Sequence, residues 1–181
     1  MSFLDTTHSI NLACPINQLG YGVSGLNISK ALVELKQDVA LFPIGNIEAP
    51  EEYTPLLKSV IGAGRTPNWN APCIKMWHQH DMTQFIGNGT KYGFPIFELD
   101  RFTDLELHHL HYLDNWMVAS EWAKDIIVES LSNIRGEDYV KEHTHVIPLG
   151  VDRSIFREAV SHRKETIFFN CGKWEVRKGH D

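Results

Sequence analysis

A glycine-rich segment near the start of the chain is the first candidate for chemistry. Residues 20–25 read G-Y-G-V-S-G, and apolar residues at helical spacing follow from Ser24. Glycines let a backbone approach a ligand closely, and the free N–H groups at the start of a helix attract phosphate. The segment is therefore suited to holding a phosphate group, although a plain strand–helix turn gives the same pattern.

The same letters match the G-x-G-x-x-G fingerprint of dinucleotide-binding proteins. In those proteins the first glycine follows a strand almost at once, whereas residues 15–19 intervene here. The acidic residue that binds the ribose should end the second strand, and that place holds Ile44, Gly45 and Asn46. An NAD(P)-binding oxidoreductase domain therefore remains an alternative, which nicotinamide binding by the domain alone would support.

Histidines are the second candidate. His78 and His80 follow a predicted strand, and three more lie on a predicted helix: His108, His109 and His111. Two loop histidines can share a metal ion, but further ligands must come from other loops, so a metal-dependent hydrolase using His78 and His80 is a second alternative. We expect instead that one of them lines a cleft at the carboxyl edge of a sheet, where open α/β sheets bind ligands. Hydrogen-bonded surface histidines are the plainer interpretation.

Composition limits the class of protein. The 181 residues carry a net charge of −6 and are 43% hydrophobic, which indicates a globular domain and argues against nucleic acid as a partner. We find no apolar run long enough to span a bilayer, no membrane anchor and no signal peptide at the start. The three cysteines are isolated (Cys14, Cys73, Cys171), which predicts buried reduced thiols and a cytoplasmic protein.

Strand and helix patterns alternate along the chain. Helices are predicted from Ser24, over 51–61, over 104–113 and after Ser120, which can cap the last of them. Strands are predicted at 9–14, 38–44, 73–77, 94–97, 116–119, 145–147 and 166–171. The alternation predicts an α/β fold, a Rossmann-like doubly wound and mainly parallel sheet covered on both faces. The glycine segment, Glu98, Ser120 and Gly150 should then share the carboxyl edge of the sheet.

Four ordered segments give the chain a resemblance to a known family. They are N-Q-L-G-Y-G at 17–22, F-E-L-D-R at 97–101, W-M-V-A-S-E-W at 116–122 and V-I-P-L-G-V-D at 146–152, and the last continues into G-K-W-E-V-R-K-G at 172–179. In this order they resemble the GT-B glycosyltransferases of the retaining group called family 4. Each segment alone is weak evidence, but the ordered set covers nearly the whole chain.

The resemblance implies a division of labour between two Rossmann-like domains. The N-terminal domain holds the acceptor and the C-terminal domain holds the nucleotide-sugar donor. Gly20, Tyr21 and Gly22 would form a loop that reaches the donor diphosphate from the acceptor side. Lys173 and Lys178 would neutralise that diphosphate without a metal, although the family usually has arginine at the first position. A solvated cluster of cations is the alternative for these lysines.

The resemblance also implies roles for residues that follow the predicted strands. Many members place a histidine after the strand that here ends in Phe97, whereas this chain has Glu98 and Asp100. We expect these carboxylates to be catalytic, positioning a hydroxyl or balancing positive charge on the sugar. An ion pair between Glu98 and Arg101 is the plainer alternative. The acceptor cleft is expected to include His78, His80, Ser120 and Gly150.

The resulting expectation is a fragment of a hexosyl-type retaining glycosyltransferase. Residues 1–160 would form the acceptor-side domain, and 161–181 a linker and the first strand of the donor domain. The co-substrate would be a nucleotide-diphosphate sugar, with no other cofactor, and the acceptor a glycan, a lipid or a small molecule. The fragment should be inactive without its second domain, and the apolar strand 166–171 could mediate self-association. A non-catalytic sugar-binding or assembly module is a third alternative.

Overall fold

The computed structural model describes residues 9–158 together with Glu165 and Ile167. The chain divides into two compact units, Met1–Leu149 and Gly150–Asp181. Of the predicted strand 166–171 only Ile167 is described, and it is exposed and not in a strand. Lys173 and Lys178 lie outside the described residues, so their expected roles stay predictions.

The first unit contains one six-stranded sheet in which every pair of neighbouring strands is parallel. Its order is β2-β1-β3-β4-β5-β6. The strands are β1 (Ser9–Cys14), β2 (Asp38–Pro43), β3 (Cys73–Trp77), β4 (Lys91–Pro95), β5 (Asn115–Val118) and β6 (Thr144–Val146). The predicted fold class, a Rossmann-like doubly wound α/β sheet, is confirmed.

Helices connect most of the strands. They are α1 (Gly20–Glu34), α2 (Thr54–Ala63), α3 (Asp104–His111), α4 (Glu121–Arg135) and α5 (Glu137–His143), with short 3₁₀ helices at Glu51–Tyr53 and Gln79–Asp81. Within the described residues, none of these helices has both the length and the apolar character needed to cross a bilayer.

The helices cover both faces of the sheet, as adjacent residues of β4 demonstrate. Successive strand residues point to opposite faces. Phe94 is buried in a core cluster with side chains of α1 and α2. A side chain on Gly93 would come within 2.3 Å of Leu113, which belongs to a second cluster with α3, α4 and α5. The sheet therefore separates two hydrophobic cores.

Several element boundaries differ from the sequence-based prediction, and one helix was not predicted. β4 begins at Lys91 and ends at Pro95, earlier than the predicted 94–97, because its pairing with β3 runs from the pair Cys73 and Lys91 to the pair Trp77 and Pro95. The short helix α5 was not predicted, since only Val140 of its seven residues is buried. Gly136 separates it from α4 with φ at 87°, a conformation that favours glycine.

The described part of the second unit contains a local turn at its start. The carboxylate of Asp152 accepts hydrogen bonds from the backbone N–H and the hydroxyl of Ser154, at 2.8 and 2.6 Å. The backbone N–H of Phe156 donates to the carbonyl of Asp152 at 2.8 Å. This is the side-chain-to-backbone turn that aspartate favours.

Candidate functional site

The strand order defines where a ligand would bind. The chain passes from β1 to β2 on one side, and β3 lies on the other side of β1. This reversal is a topological switch point, and open α/β sheets bind ligands in the crevice outside the carboxyl ends of the strands there. The segments after β1 and β3 therefore border the expected crevice, with the segment after β4 next to them.

The helix that follows β1 presents its N-terminus at this edge. The N–H groups of Gly20, Tyr21 and Gly22 belong to the first turn and have no intrahelical carbonyl partner. Leu19 occupies the N-cap position, and no side chain of the described residues caps the helix there. Gly20 is exposed, and a methyl group added to it would meet no atom within 4 Å. The backbone at Gly20 is thus accessible to a ligand.

Residues 20–22 form the first turn of α1, so the expectation that Gly20, Tyr21 and Gly22 form a loop is wrong. α1 begins at Gly20, four residues before the expected start. A Cβ atom on Gly22 would lie 2.2 Å from the backbone nitrogen of Asn17, and one on Gly25 would lie 2.3 Å from the carbonyl oxygen of Pro15. These two glycines let the helix pack directly on the segment that leaves β1.

Tyr21 joins this helix to the ends of two strands. Its hydroxyl lies 3.3 Å from Nδ1 of His78, which follows β3, and donates to the carbonyl of Ile96, which follows β4, at 3.3 Å. Burial, and then the negative charge of Glu98, raise the pKa of Tyr21 above its usual value. The structure therefore brings Tyr21, His78 and Glu98 into one neighbourhood at the carboxyl edge.

Aromatic rings hold His78 in place. Its ring contacts those of Tyr21 and Trp77 edge-on, with centroid distances of 4.8 Å in both cases. The exposed ring of His80 stacks on it at 5.1 Å, with 12° between the planes. Burial and the neighbouring His80 lower the pKa of His78, although the Asp81 carboxylate opposes this shift. A lowered pKa favours the neutral imidazole, which can accept a hydrogen bond.

A buried lysine supports the loop that carries both histidines. Lys75 of β3 is 4% exposed, and its ammonium group donates to the carbonyl of Thr83 at 2.6 Å. The same group lies 3.7 Å from the carboxylate of Asp81. Burial lowers the pKa of Lys75, and Asp81 partly counteracts this effect. Lys75 thus holds the end of the 3₁₀ helix and the chain that follows it, which sequence reasoning did not anticipate.

Glu106 provides a second support that the sequence-based prediction missed. Its Oε2 atom accepts hydrogen bonds from the backbone N–H and the hydroxyl of Thr103, at 2.7 and 2.9 Å. Its Oε1 atom accepts from the side-chain amide of Gln79 at 2.8 Å. The spacing T-x-x-E at 103–106 is that of a capping box and could have indicated the first part of this arrangement.

The other predicted site residues are placed as follows. Glu98 and Asp100 are exposed after β4, and Ser120 follows β5 at the same edge. The Ser120 hydroxyl accepts a 3.2 Å hydrogen bond from the N–H of Ala123 and caps α4, as predicted. Gly150 is the first residue of the second unit and is exposed. Its expected place at the edge of the sheet stays a prediction.

The histidines that the structure describes do not form a recognisable metal centre. In the described part of the chain, no group of three or more His, Cys, Asp or Glu side chains is arranged to hold a metal ion. His109 and His111 on α3 each have a buried Nδ1 atom without a hydrogen-bond partner among the described residues. The hydrolase alternative would need ligands beyond His78 and His80, because zinc sites use at least three protein ligands.

A polar cavity of about 170 Å³ lies away from this region. Its lining includes Ser9 and Asp38, which begin β1 and β2, so it is at the amino edge of the sheet. Ligands of open α/β folds bind at the opposite edge, and we therefore assign the candidate site to the carboxyl edge beside Tyr21 and His78.

Comparison with protein-family models, with curated proteins and with solved structures found no match to this chain. The chemistry of the candidate site is therefore inferred from its own geometry and from the sequence resemblance.

Proposed function

We propose that this chain is the acceptor-side domain of a retaining GT-B glycosyltransferase. In this proposal the complete two-domain enzyme transfers a sugar from a nucleotide-diphosphate sugar to a hydroxyl-bearing acceptor, without a metal ion. The observation that carries the proposal is the grouping of Tyr21, His78 and Glu98 at the switch point of a parallel sheet, beside the uncapped start of α1. The ordered motifs of the sequence supply the donor class.

The two halves of the crevice would serve different parts of the reaction. Backbone N–H groups at a helix start bind anions, so the first turn of α1 is suited to a diphosphate. Imidazole, phenol and carboxylate groups are suited to hydroxyl groups of a sugar. The transfer would gain its rate from holding donor and acceptor together, since fixing two reactants converts a bimolecular step into an effectively unimolecular one.

The exposed carboxylates Glu98 and Asp100 would act on the reacting sugar. As the bond to the leaving diphosphate breaks, positive charge develops on the sugar ring, and a nearby carboxylate stabilises it. Lys173 and Lys178 would neutralise the diphosphate from the donor domain. The unpaired and buried Cys14 and Cys73 support a reducing, cytoplasmic setting.

The test compares residues 1–181 with a longer protein, which is expressed from a coding sequence that continues downstream of Asp181. Calorimetric titration of residues 1–181 with uridine, guanosine and adenosine diphosphate sugars should give no tight binding, because in this proposal the donor is held by the C-terminal domain. The longer protein should release nucleoside diphosphate from one of these donors and label a sugar or lipid acceptor. Micromolar donor binding by residues 1–181 would contradict the division of labour. A coding sequence that stops at Asp181, or no turnover of any donor, would contradict the function.

A further inference from the structure

The hydrogen bonds of Tyr21 restrict where the proton of His78 lies. A tyrosine hydroxyl has one proton to donate, and a carbonyl oxygen can only accept. When Tyr21 donates to the carbonyl of Ile96, the contact between its oxygen and Nδ1 of His78 requires the proton to be on Nδ1. Both 3.3 Å contacts are therefore satisfied together in a single arrangement, with an N–H group at Nδ1.

The other ring nitrogen is then a hydrogen-bond acceptor. In a neutral imidazole protonated at Nδ1, the lone pair is on Nε2. Among the described residues, no hydrogen bond is made to Nε2 of His78, and the side chain is only half-buried. The rings of Tyr21, Trp77 and His80 limit its rotation. The acceptor atom is thus preorganised, and its partner would have to be a donor from outside the described chain.

The surroundings indicate which kind of donor fits. A cationic ligand would be favoured by the carboxylates of Glu98 and Asp81, but the half-buried ring of His78 is contacted directly by the rings of Tyr21, Trp77 and His80, and burial and His80 lower its pKa despite Asp81. A neutral hydroxyl group donates one hydrogen bond without requiring charge compensation. Sugars and polyols carry such groups on a ring or chain that can also pack against aromatic side chains.

We propose that Nε2 of His78 binds a hydroxyl group of a sugar or polyol, and that Tyr21 is a positioning residue that holds His78 in its Nδ1–H tautomer. The choice of a sugar as ligand rests on the proposed function, whereas the tautomer does not. Tyr21 is then assigned to the acceptor side of the crevice by its side chain, while only its backbone N–H would face the diphosphate.

Nuclear magnetic resonance of the 181-residue chain labelled with ¹⁵N-histidine tests the tautomer. Ring nitrogen shifts identify the protonated nitrogen, and a His78→Gln variant assigns the signal. We expect the neutral ring of His78 to be protonated at Nδ1, and Tyr21→Phe to shift it toward Nε2–H. Tyr53→Phe should leave the protonation of His78 unchanged, because Tyr53 is a partly buried tyrosine packed against the core cluster that Phe94 shares with α1 and α2. Once the signal is assigned, protonation at Nε2 in the unmodified chain would overturn the proposal, and this result does not depend on whether either tyrosine variant folds.

The hydroxyl-binding part is tested by titration with methyl glucoside, methyl mannoside, N-acetylglucosamine and glycerol. At least one should shift the Nε2 signal of His78, and Tyr21→Phe should weaken that binding about fivefold, the equivalent of one hydrogen bond. The exposed His145, replaced by glutamine, is the matched control and should not change the affinity. No shift with any of the four compounds would overturn the hydroxyl site. If the longer protein transfers sugar but His78 is protonated at Nε2, this proposal alone is overturned. If His78 is protonated at Nδ1 but the longer protein transfers no sugar, the proposed function alone is overturned.

Discussion

The side-chain amide of Gln79 donates a 2.8 Å hydrogen bond to the carboxylate of Glu106, and both side chains are buried. Because Gln79 stands between His78 and His80, this bond connects the histidine loop to the first turn of α3. The same carboxylate accepts two hydrogen bonds from Thr103. The buried carboxylate of Glu106 therefore holds the histidine loop through Gln79 and takes part in the cap of α3 through Thr103.

This arrangement predicts a loss of stability in acid. Burial opposes the charged form of Glu106, but the hydrogen bonds from Thr103 and Gln79 outweigh it and hold the pKa of Glu106 below its usual value. The unfolded chain then binds the proton first, so the contribution is fully present above about pH 5 and is lost as pH falls through the folded-state pKa. Thermal unfolding of the unmodified chain should show a steeper drop in Tm below about pH 4.5 than that of Glu106→Gln.

The matched control for this measurement is Glu129→Gln, which changes an exposed glutamate on α4. Its Tm should follow the acid dependence of the unmodified chain. If Glu106→Gln and the unmodified chain lose stability in parallel, the hydrogen bonds of Glu106 do not stabilise the charged form.

Arg135 is expected to stabilise the second hydrophobic core. Its guanidinium donates to the carbonyl of His111 at 2.6 Å and lies 4.7 Å from the ring centre of Tyr139. Lysine keeps the charge but not the planar group that stacks and donates in a fixed direction. Arg135→Lys should lower the free energy of unfolding by about 1–2 kcal/mol, measured by urea titration. Arg65→Lys, at an exposed position, should change it by less than about 0.5 kcal/mol, and equal effects would contradict the assigned role.

The sequence predicts most of the sheet because most strands contain a short apolar stretch between polar, glycine or proline breaks. β1 and β3 have the predicted bounds, and Ser120 caps α4 as expected. The start of α1 could not be predicted from propensity, since glycine is a poor helix former. There the packing of Gly22 and Gly25 on the segment after β1 decides the outcome.

The site was predictable in part. The sequence places Tyr21 and His78 after strands, and a parallel sheet brings strand ends to one edge. It does not give strand order, so the contact between these residues, 57 positions apart, could not be derived. The support from Glu106 could not be derived either, because its partner Gln79 is 27 positions away. Both Lys75 and Glu106 are also buried, which is exceptional for charged residues of these types.

The electrostatic link between Glu98 and Tyr21 can be measured without any ligand. Burial and the Glu98 charge both raise the pKa of Tyr21. Glu98→Gln removes the second cause and keeps the shape, so the pKa of Tyr21 should fall toward its usual value. Titration of the ¹³C-labelled tyrosine ring follows this directly, with Glu52→Gln as the exposed control. An unchanged pKa would indicate that Glu98 does not face Tyr21 in solution.

The same substitution should affect catalysis in the longer protein. If Glu98 stabilises positive charge on the reacting sugar, Glu98→Gln removes an interaction that is strongest in the transition state. Turnover should then fall by about tenfold or more, while donor affinity changes little. Steady-state rates and calorimetric donor binding give the two quantities, and Glu52→Gln serves again as the control. Unchanged turnover would leave Glu98 with a structural role.

The glycine segment allows the two roles of its residues to be separated by alanine substitution. Gly20 has free space around its Cβ position, whereas a Cβ atom on Gly25 would lie 2.3 Å from a backbone oxygen of Pro15. Gly25→Ala must therefore displace α1 and should destabilise the chain by about 1–3 kcal/mol, as overpacking does in other cores. Gly20→Ala should leave the free energy of unfolding within about 0.5 kcal/mol of the unmodified chain.

In the longer protein, however, Gly20→Ala should weaken donor binding, because its methyl group would occupy the space in which a diphosphate approaches the start of the helix. Chemical denaturation and donor titration of the same two variants separate packing from binding. A Gly20→Ala protein with unaltered stability and unaltered donor affinity would exclude the start of α1 as the diphosphate site.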